Sequence, residues 1–253
     1  MPLARCSPRS DTNRVPEGDA VRRSAIALDA ALAGRVLVSC DIRVPRFATV
    51  NLVGQTITGT HAVGKHLLTR TDAGLTLHSH RRMEGKWVTG RANLQTGPAH
   101  QIRVVLRTEA TAAIGVRLAM VEVARTRDEG RWVGHLGPDI LADDFDPAIA
   151  LPERPVVEML LDQRVLCGLG TMWAAEAAFL AGANPWRPAR DLAEPLAQIR
   201  AEMQASVTGR RPRMRVFERV GQPCRVCGTP IATGRVGSPP HDRITYWCPV
   251  CQA

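Results

Sequence analysis

No stretch of the 253 residues approaches the roughly 18 consecutive apolar residues of a membrane-spanning helix. The opening MPLARCSPRSDTNR also lacks the apolar core that directs secretion. Export and helical membrane insertion are therefore set aside, and the expected location is the cytoplasm, in association with the nucleoid. No internal repeat or low-complexity tract is present, which excludes solenoids and propellers. Acidic residues are the scarcer charge: 24 Asp and Glu stand against 33 Lys and Arg, a net +9. That excess favours a polyanionic partner, but ribosomal, membrane-surface and DNA-binding proteins all share it. Disulfide bonds are not expected of seven cysteines in a reducing compartment, and four of them crowd into the last thirty residues with paired spacing.

With 45% hydrophobic residues, the chain can bury one or two cores and carry a small appended module. Val21, Ala25, Leu28 and Leu32 recur at helical spacing, which predicts a helix to about Leu32 with Asp19 as its cap. From Arg35 to about Arg125, short runs rich in Val, Ile, Leu and Thr are broken by turns at Gly54, Gly64, Gly74, Gly85 and Gly97. This is the pattern of an antiparallel β-sandwich. Residues 134–155 hold four prolines and the acidic Asp143, Asp144 and Asp146, and read as a linker. Helical signals follow over Val156 to Asp162, Thr171 to Ala181 and Leu192 to Ser206, with a glycine turn between the first two. A basic tract of Arg210, Arg211, Arg213 and Arg215 comes next.

Cys224 and Cys227 are separated from Cys248 and Cys251 by twenty residues, a C-x2-C…C-x2-C arrangement. Two knuckle turns of this kind can place four thiolates around one Zn²⁺ at about 2.3 Å. Such a metal staples a segment too small to fold alone. Four thiolates leave no open coordination position, so the ion is expected to be structural and a zinc-dependent nuclease is disfavoured. Cys6, Cys40 and Cys167 have no partners at ligand spacing, and the latter two read as buried small hydrophobes.

PEGD at 16–19 before an amphipathic helix, GLGT at 168–171, and the terminal CRVCG…YWCPVCQ together resemble the formamidopyrimidine-DNA glycosylase and endonuclease VIII family. RVFERVGQPCRVCG and ITYWCPVCQ resemble endonuclease VIII in particular. The resemblance spans residues 16–253 and implies an α+β protein: a β-sandwich flanked by helices (16–133), a linker (134–155), a helix-two-turn-helix DNA-binding domain (156–222) and a four-cysteine zinc finger (223–253). It implies a DNA glycosylase and abasic-site lyase for oxidised pyrimidines, working as a monomer on damaged DNA.

In this family the secondary amine of an N-terminal proline attacks C1′ of the damaged nucleoside. Pro16 as written is a tertiary amide and cannot do so. Translation from a valine codon read as a start at Val15, with removal of the initiating methionine, would free it. Residues 1–15 are accordingly expected to be a mis-assigned extension, the alternative being a real tail on a catalytically silent damage-binding protein. The resemblance makes Glu17 the proton donor and acceptor, against the plainer reading of a helix-capping glutamate, with a helix N-terminus favouring its ionised form.

The same resemblance makes Lys65, in VGKHLL, a phosphate ligand and catalytic cation. Met83 becomes a wedge into the gap left by an everted nucleotide and Arg82 a partner for the orphaned base, with core burial of Met83 as the alternative. Gly168, Gly170 and Thr171 become a phosphate cradle at a helix N-terminus, and Arg243 a guanidinium at a hairpin tip that enters a groove or grips phosphate. This chain departs from its relatives at Thr171, where an asparagine is usual, and at Ala20, where a glutamate is common. It departs again in the short stretch from Val207 to Met214. A short cover over the flipped base favours broad acceptance and unpaired substrates such as single strands and bubbles, with the arginines there holding phosphates.

Overall fold

The computed structural model describes residues 16–253, so the expectations for residues 1–15 and for Cys6 lie outside the described residues. Helix α1, Gly18–Leu32, buries Val21, Ala25, Leu28 and Leu32, as their spacing predicts. Burial of Val21, Leu28 and Leu32 stabilises the fold by roughly 1.5–3 kcal/mol each. Its start differs from expectation. Glu17 is the N-cap residue, and Asp19 lies inside the first turn with its carboxylate buried against the helical lobe.

Eight strands follow: β1 (Ser39–Ile42), β2 (Ile57–Val63), β3 (His66–Thr71), β4 (Leu75–His80), β5 (Lys86–Arg91), β6 (Ile102–Arg107), β7 (Thr111–Val116) and β8 (Met120–Arg125). They form two antiparallel four-stranded sheets, in the orders β1-β6-β7-β5 and β2-β3-β4-β8. Leu37, Ile57, Leu67, Leu77, Leu106 and Ala113 pack between them with the apolar face of α1. Val63 pairs with His66, so Gly64 and Lys65 alone make the β2–β3 turn. Gly64 takes φ +54°, the left-handed conformation that a two-residue hairpin loop requires. The lysine is thereby held at the hairpin tip.

After α2 (Gly130–Val133) the expected linker has little regular structure, yet it is not loose. Ile140, Leu141 and Phe145 are buried in the core of the helical lobe, and Asp139 accepts N–H bonds from Gly64 at 2.7 Å and Leu141 at 2.9 Å. The prolines and acids mark a chain without repeating pairing, but the apolar residues between them have a core to enter.

Three helices, α3 (Val156–Leu161), α4 (Thr171–Leu180) and α5 (Ala193–Val207), build that lobe. α4 is buried nearly all round, from Met172 to Ala178, and not on the one face of Trp173, Ala177 and Leu180. Glu176, wholly buried within it, accepts the backbone N–H groups of Arg215, Val216 and Phe217 at 2.8–3.0 Å, which fixes the path into the last module. That module is the hairpin β9 (Ala232–Val236) and β10 (Arg243–Trp247) between the two cysteine knuckles. Trp186 stacks edge-on against Trp247, and the Gln252 side chain donates to the Ala183 carbonyl, docking the hairpin on the helices.

Candidate active site and nucleic-acid interface

Pro16, Glu17 and Gly18 are buried where the first helix meets the N-terminus of α4. The Gly18 N–H donates to the Gly168 carbonyl at 2.8 Å. One carboxylate oxygen of Glu17 accepts the Met172 N–H at 2.7 Å, and the other accepts Gly170 at 2.7 Å and Trp173 at 3.3 Å. Glu17 therefore caps a helix, but not its own: its side chain closes the first turn of α4, whose free N–H groups need an acceptor.

Burial pushes the Glu17 carboxyl up to about 7, against the pull of Lys65 and of the Met172 and Gly170 N–H groups, while Asp19 adds to the rise. Desolvation outweighs the helix end that favours its ionised form. A carboxyl so placed exchanges a proton near neutrality, which suits acid–base work.

The glycines of GLGT have a different task from the one expected. A Cβ on Gly170 would stand 2.5 Å from the Glu17 carboxyl carbon, and one on Gly18 would stand 3.0 Å from the Gly168 Cα. They admit the 16–18 segment. The Gly170 N–H is spent on Glu17 and the Gly168 N–H on the Gln163 side chain at 3.1 Å, so these two donors are not offered to a phosphate. Thr171, half-buried at the first position of α4, has no hydrogen-bond partner for its N–H or hydroxyl among the described residues.

Lys65 is half-buried at its hairpin tip. Desolvation lowers its pKa, Glu17 and Cys167 oppose that, and Arg243 lowers it further. The sandwich hairpin, the start of α1, the α4 turn and the hairpin between the cysteine knuckles thus converge on one place. Arg243 is exposed at the start of β10, its guanidinium donating to the His241 and Asp242 carbonyls at 2.9 and 3.1 Å and close enough to the Asp242 carboxyl to help lower its pKa.

Met83 is 65% exposed, which disposes of the core reading. Its loop is tethered beside the site because Arg81 donates to the Ala20 carbonyl at 3.0 Å and to the Ser24 hydroxyl at 2.9 Å on α1. Arg82, also exposed, is held at φ +48°, its N–H donating to His80 Nδ1 at 3.0 Å. That bond requires a neutral imidazole. Burial lowers His80 and His66 to about 4 and His78 to about 3, so all three carry no charge near pH 7.

Several positioning groups carry no local sequence signal. Asp19 accepts the Ser206 hydroxyl at 2.5 Å and the Trp173 indole N–H at 3.3 Å, joining α1 to both α4 and α5. Gln163 ties Leu161, Gly168 and Leu169 together. A lone acid at a helix start reads locally as a cap, and nothing nearby in sequence marks Gln163. Of the leftover cysteines, Cys167 is fully buried against Gly64 as expected, while Cys40 is only half-buried. Cys224, Cys227, Cys248 and Cys251 bring their sulfurs within 4.8 Å of one another, a closed set of four thiols that can hold a metal ion. Such an all-sulfur donor set fits Zn²⁺.

Residues 15–131 match the model of the formamidopyrimidine-DNA glycosylase N-terminal domain. A probable endonuclease 8 2 of Streptomyces coelicolor is 44% identical, with 94% of each chain covered. The chain belongs to the formamidopyrimidine-DNA glycosylase and endonuclease VIII family. A second member, the DNA-(apurinic or apyrimidinic site) lyase Nei2 of Mycolicibacterium smegmatis, is 40% identical over 94% of this chain and 99% of its own. The fold is likewise that of Lactococcus lactis formamidopyrimidine-DNA glycosylase, solved non-covalently bound to DNA containing an abasic site, with a TM-score of 0.79 at 22% identity over 94% and 99% of the two chains. Within this family member, no helix among the described residues is long and apolar enough to cross a membrane.

Proposed function

We propose that this family member is a bifunctional DNA glycosylase and abasic-site lyase of base excision repair, acting on oxidised pyrimidines. The observation that carries the reading is the buried Glu17 carboxyl, poised at about 7 on the N-terminus of α4, directly beside Pro16 and within the field of Lys65. Released from residues 1–15, the Pro16 nitrogen becomes a secondary amine with a pKa not far above the α-amino reference of about 8. It attacks C1′ as the C1′–base bond breaks, the departing base taking up the proton that the amine nitrogen sheds; the C1′–ring oxygen bond then opens as Glu17 delivers a proton to that oxygen, and an iminium remains. The iminium acidifies C2′, whose proton leaves as the 3′ phosphate bond breaks; a second elimination breaks the 5′ bond, and water releases the sugar remnant.

Arg82 and Met83 project from an exposed, tethered loop suited to filling the place of an everted nucleotide. Lys65, Thr171 and Arg243 hold phosphates around the lesion, and Gly168 and Gly170 serve this grip by shaping the α4 turn. Zn²⁺ on Cys224, Cys227, Cys248 and Cys251 would hold the hairpin that presents Arg243, contributing folding free energy. The enzyme would act as a monomer at the nucleoid.

The test is borohydride trapping on abasic and oxidised-pyrimidine oligonucleotides. The chain beginning at Pro16 should give a covalent adduct and the full-length chain none. A full-length chain that cuts lesions while its leader remains attached refutes the Pro16 route.

A further inference from the structure

Segment 16–20 holds two acids, Glu17 and Asp19, and both are buried where α1 meets the helical lobe. They share a neighbour. Glu17 accepts the backbone N–H of Trp173 at 3.3 Å and Asp19 accepts the indole N–H of the same residue at 3.3 Å, so one wholly buried tryptophan is clasped by both acids. The second oxygen of Asp19 takes the Ser206 hydroxyl at 2.5 Å. Asp19 is 3% exposed, yet both of these partners are neutral, and no Lys or Arg forms an ion pair with it among the described residues. A buried carboxylate left without a cation is costly, and its field reaches its neighbours with little screening.

Burial is the main cause of the rise of the Glu17 carboxyl to about 7; of the charges around it, Lys65 on the β2–β3 hairpin pulls it down and Asp19 pushes it up. Arg243 of β10 and the Cys167 thiol bear on Lys65. From α4, Glu17 meets only the N–H groups of Gly170, Met172 and Trp173, while Glu176 is spent on the N–H groups of Arg215, Val216 and Phe217. Arg22 and Arg23 of α1 donate to the Leu141 and Ser206 carbonyls at 3.2 and 3.0 Å. Asp19 is thus the anion set against Lys65 for control of the Glu17 proton.

We infer that Asp19 is a positioning residue for proton transfer at Glu17: it holds Trp173 so that the α4 turn keeps its grip on that acid, and it sets a fixed negative charge nearby that favours the protonated, donating form. The inference rests on the reading of Glu17 as proton donor and adds to it the group that sets the pH range in which the donor is loaded. Ser206 ties this group to α5, so the seam between the lobes and the proton share one carboxylate.

The experiment titrates Glu17 by carbon-13 NMR of the full-length chain labelled at glutamate Cδ, with Glu17→Gln identifying the resonance. Asp19→Asn removes the charge, while its amide can still accept the Trp173 indole N–H and donate to the Ser206 hydroxyl. The Glu17 midpoint should then fall by at least about half a pH unit. Ser206→Ala removes the tie to α5 but leaves the charge, and its midpoint should stay with the parent's. In the chain beginning at Pro16, kcat/KM follows the free enzyme, and the ratio of variant to parent cancels the titration of the proline amine. That ratio should drop about threefold between pH 5.5 and pH 8 for Asp19→Asn, as the less firmly held proton is lost. Should Asp19→Asn not fold, Asp19→Ser, also uncharged, takes its place in both measurements. A midpoint unmoved by loss of the charge, an equal fall in Ser206→Ala, or a kcat/KM ratio that stays flat with pH overturns the proposal. Failure of the borohydride adduct, by contrast, would remove the lyase reading and leave the NMR midpoint to decide whether Asp19 acts on Glu17.

Discussion

Replacing Glu17 with glutamine tests the centre of the site, because it removes the ionisable group while nearly preserving its shape. In the folded protein the carboxyl is raised from 4.5 to about 7, mainly by burial. A carboxyl raised on folding stabilises the protein relative to its charged form only while it stays protonated. The benefit is complete below the unfolded value of 4.5 and is lost as pH rises through about 7. At 1.36 kcal/mol per unit, ionising Glu17 in place should cost the parent about 2–3 kcal/mol between pH 5 and pH 8. The glutamine variant escapes this loss but has its own constant penalty. Its NH₂ must face one of the N–H donors of Gly170 or Met172, leaving a buried donor unpaired at about 1–3 kcal/mol. Urea denaturation of both chains across this pH range should therefore show the variant weaker at pH 5 and gaining on the parent by about 2–3 kcal/mol at pH 8. The chain trimmed to Pro16 should also lose roughly 10²–10⁴-fold in kcat with the substitution, together with the inflection near pH 7. Parallel stability curves would mean that Glu17 is ionised throughout, and the proton-donor role would fall with them.

Gly170→Ala places a methyl 2.5 Å from the Glu17 carboxyl carbon, so α4 or Glu17 must move. The expected cost is about 1–3 kcal/mol in urea denaturation, with a parallel drop in borohydride adduct; an unchanged adduct yield would refute so tight a fit between the two segments. Met83→Ala should leave stability within about 0.5 kcal/mol, since the side chain is mostly exposed, while weakening binding to an abasic duplex. Equal affinity of the parent and Met83→Ala chains would end the wedge assignment. Removing zinc with a chelator, or Cys248→Ser, should release the hairpin and change the fluorescence of the packed Trp186 and Trp247, with DNA affinity falling as Arg243 loses its support. A chelated protein that keeps both its tryptophan signal and its DNA affinity would contradict a structural metal.

Much of the architecture was legible because its signals are short-ranged. The spacing of Val21, Ala25, Leu28 and Leu32 marks a buried helix face, and the glycines at 54, 64, 74 and 97 adopt the positive φ that their turns need. Paired cysteines two residues apart announce two knuckles, whatever surrounds them. PEGD and GLGT were recognisable as motifs, which was enough to place Glu17 and the α4 turn in one site.

The roles of those motif residues were decided elsewhere. Glu17 and Gly170 are 153 positions apart, so no local pattern shows that the carboxylate caps α4, that its glycines make room for the 16–18 segment, or that burial lifts the acid to about 7. Asp19 reads as a cap until folding sets Trp173 and Ser206 against it. Ile140 and Phe145 read as linker until a core closes over them. Sequence by itself determined which backbone conformations and metal ligands are available, because propensity, turn stereochemistry and ligand spacing act over a few residues. Desolvation and charge proximity depend on every element packed around a group, so only the tertiary structure could raise the Glu17 carboxyl to about 7.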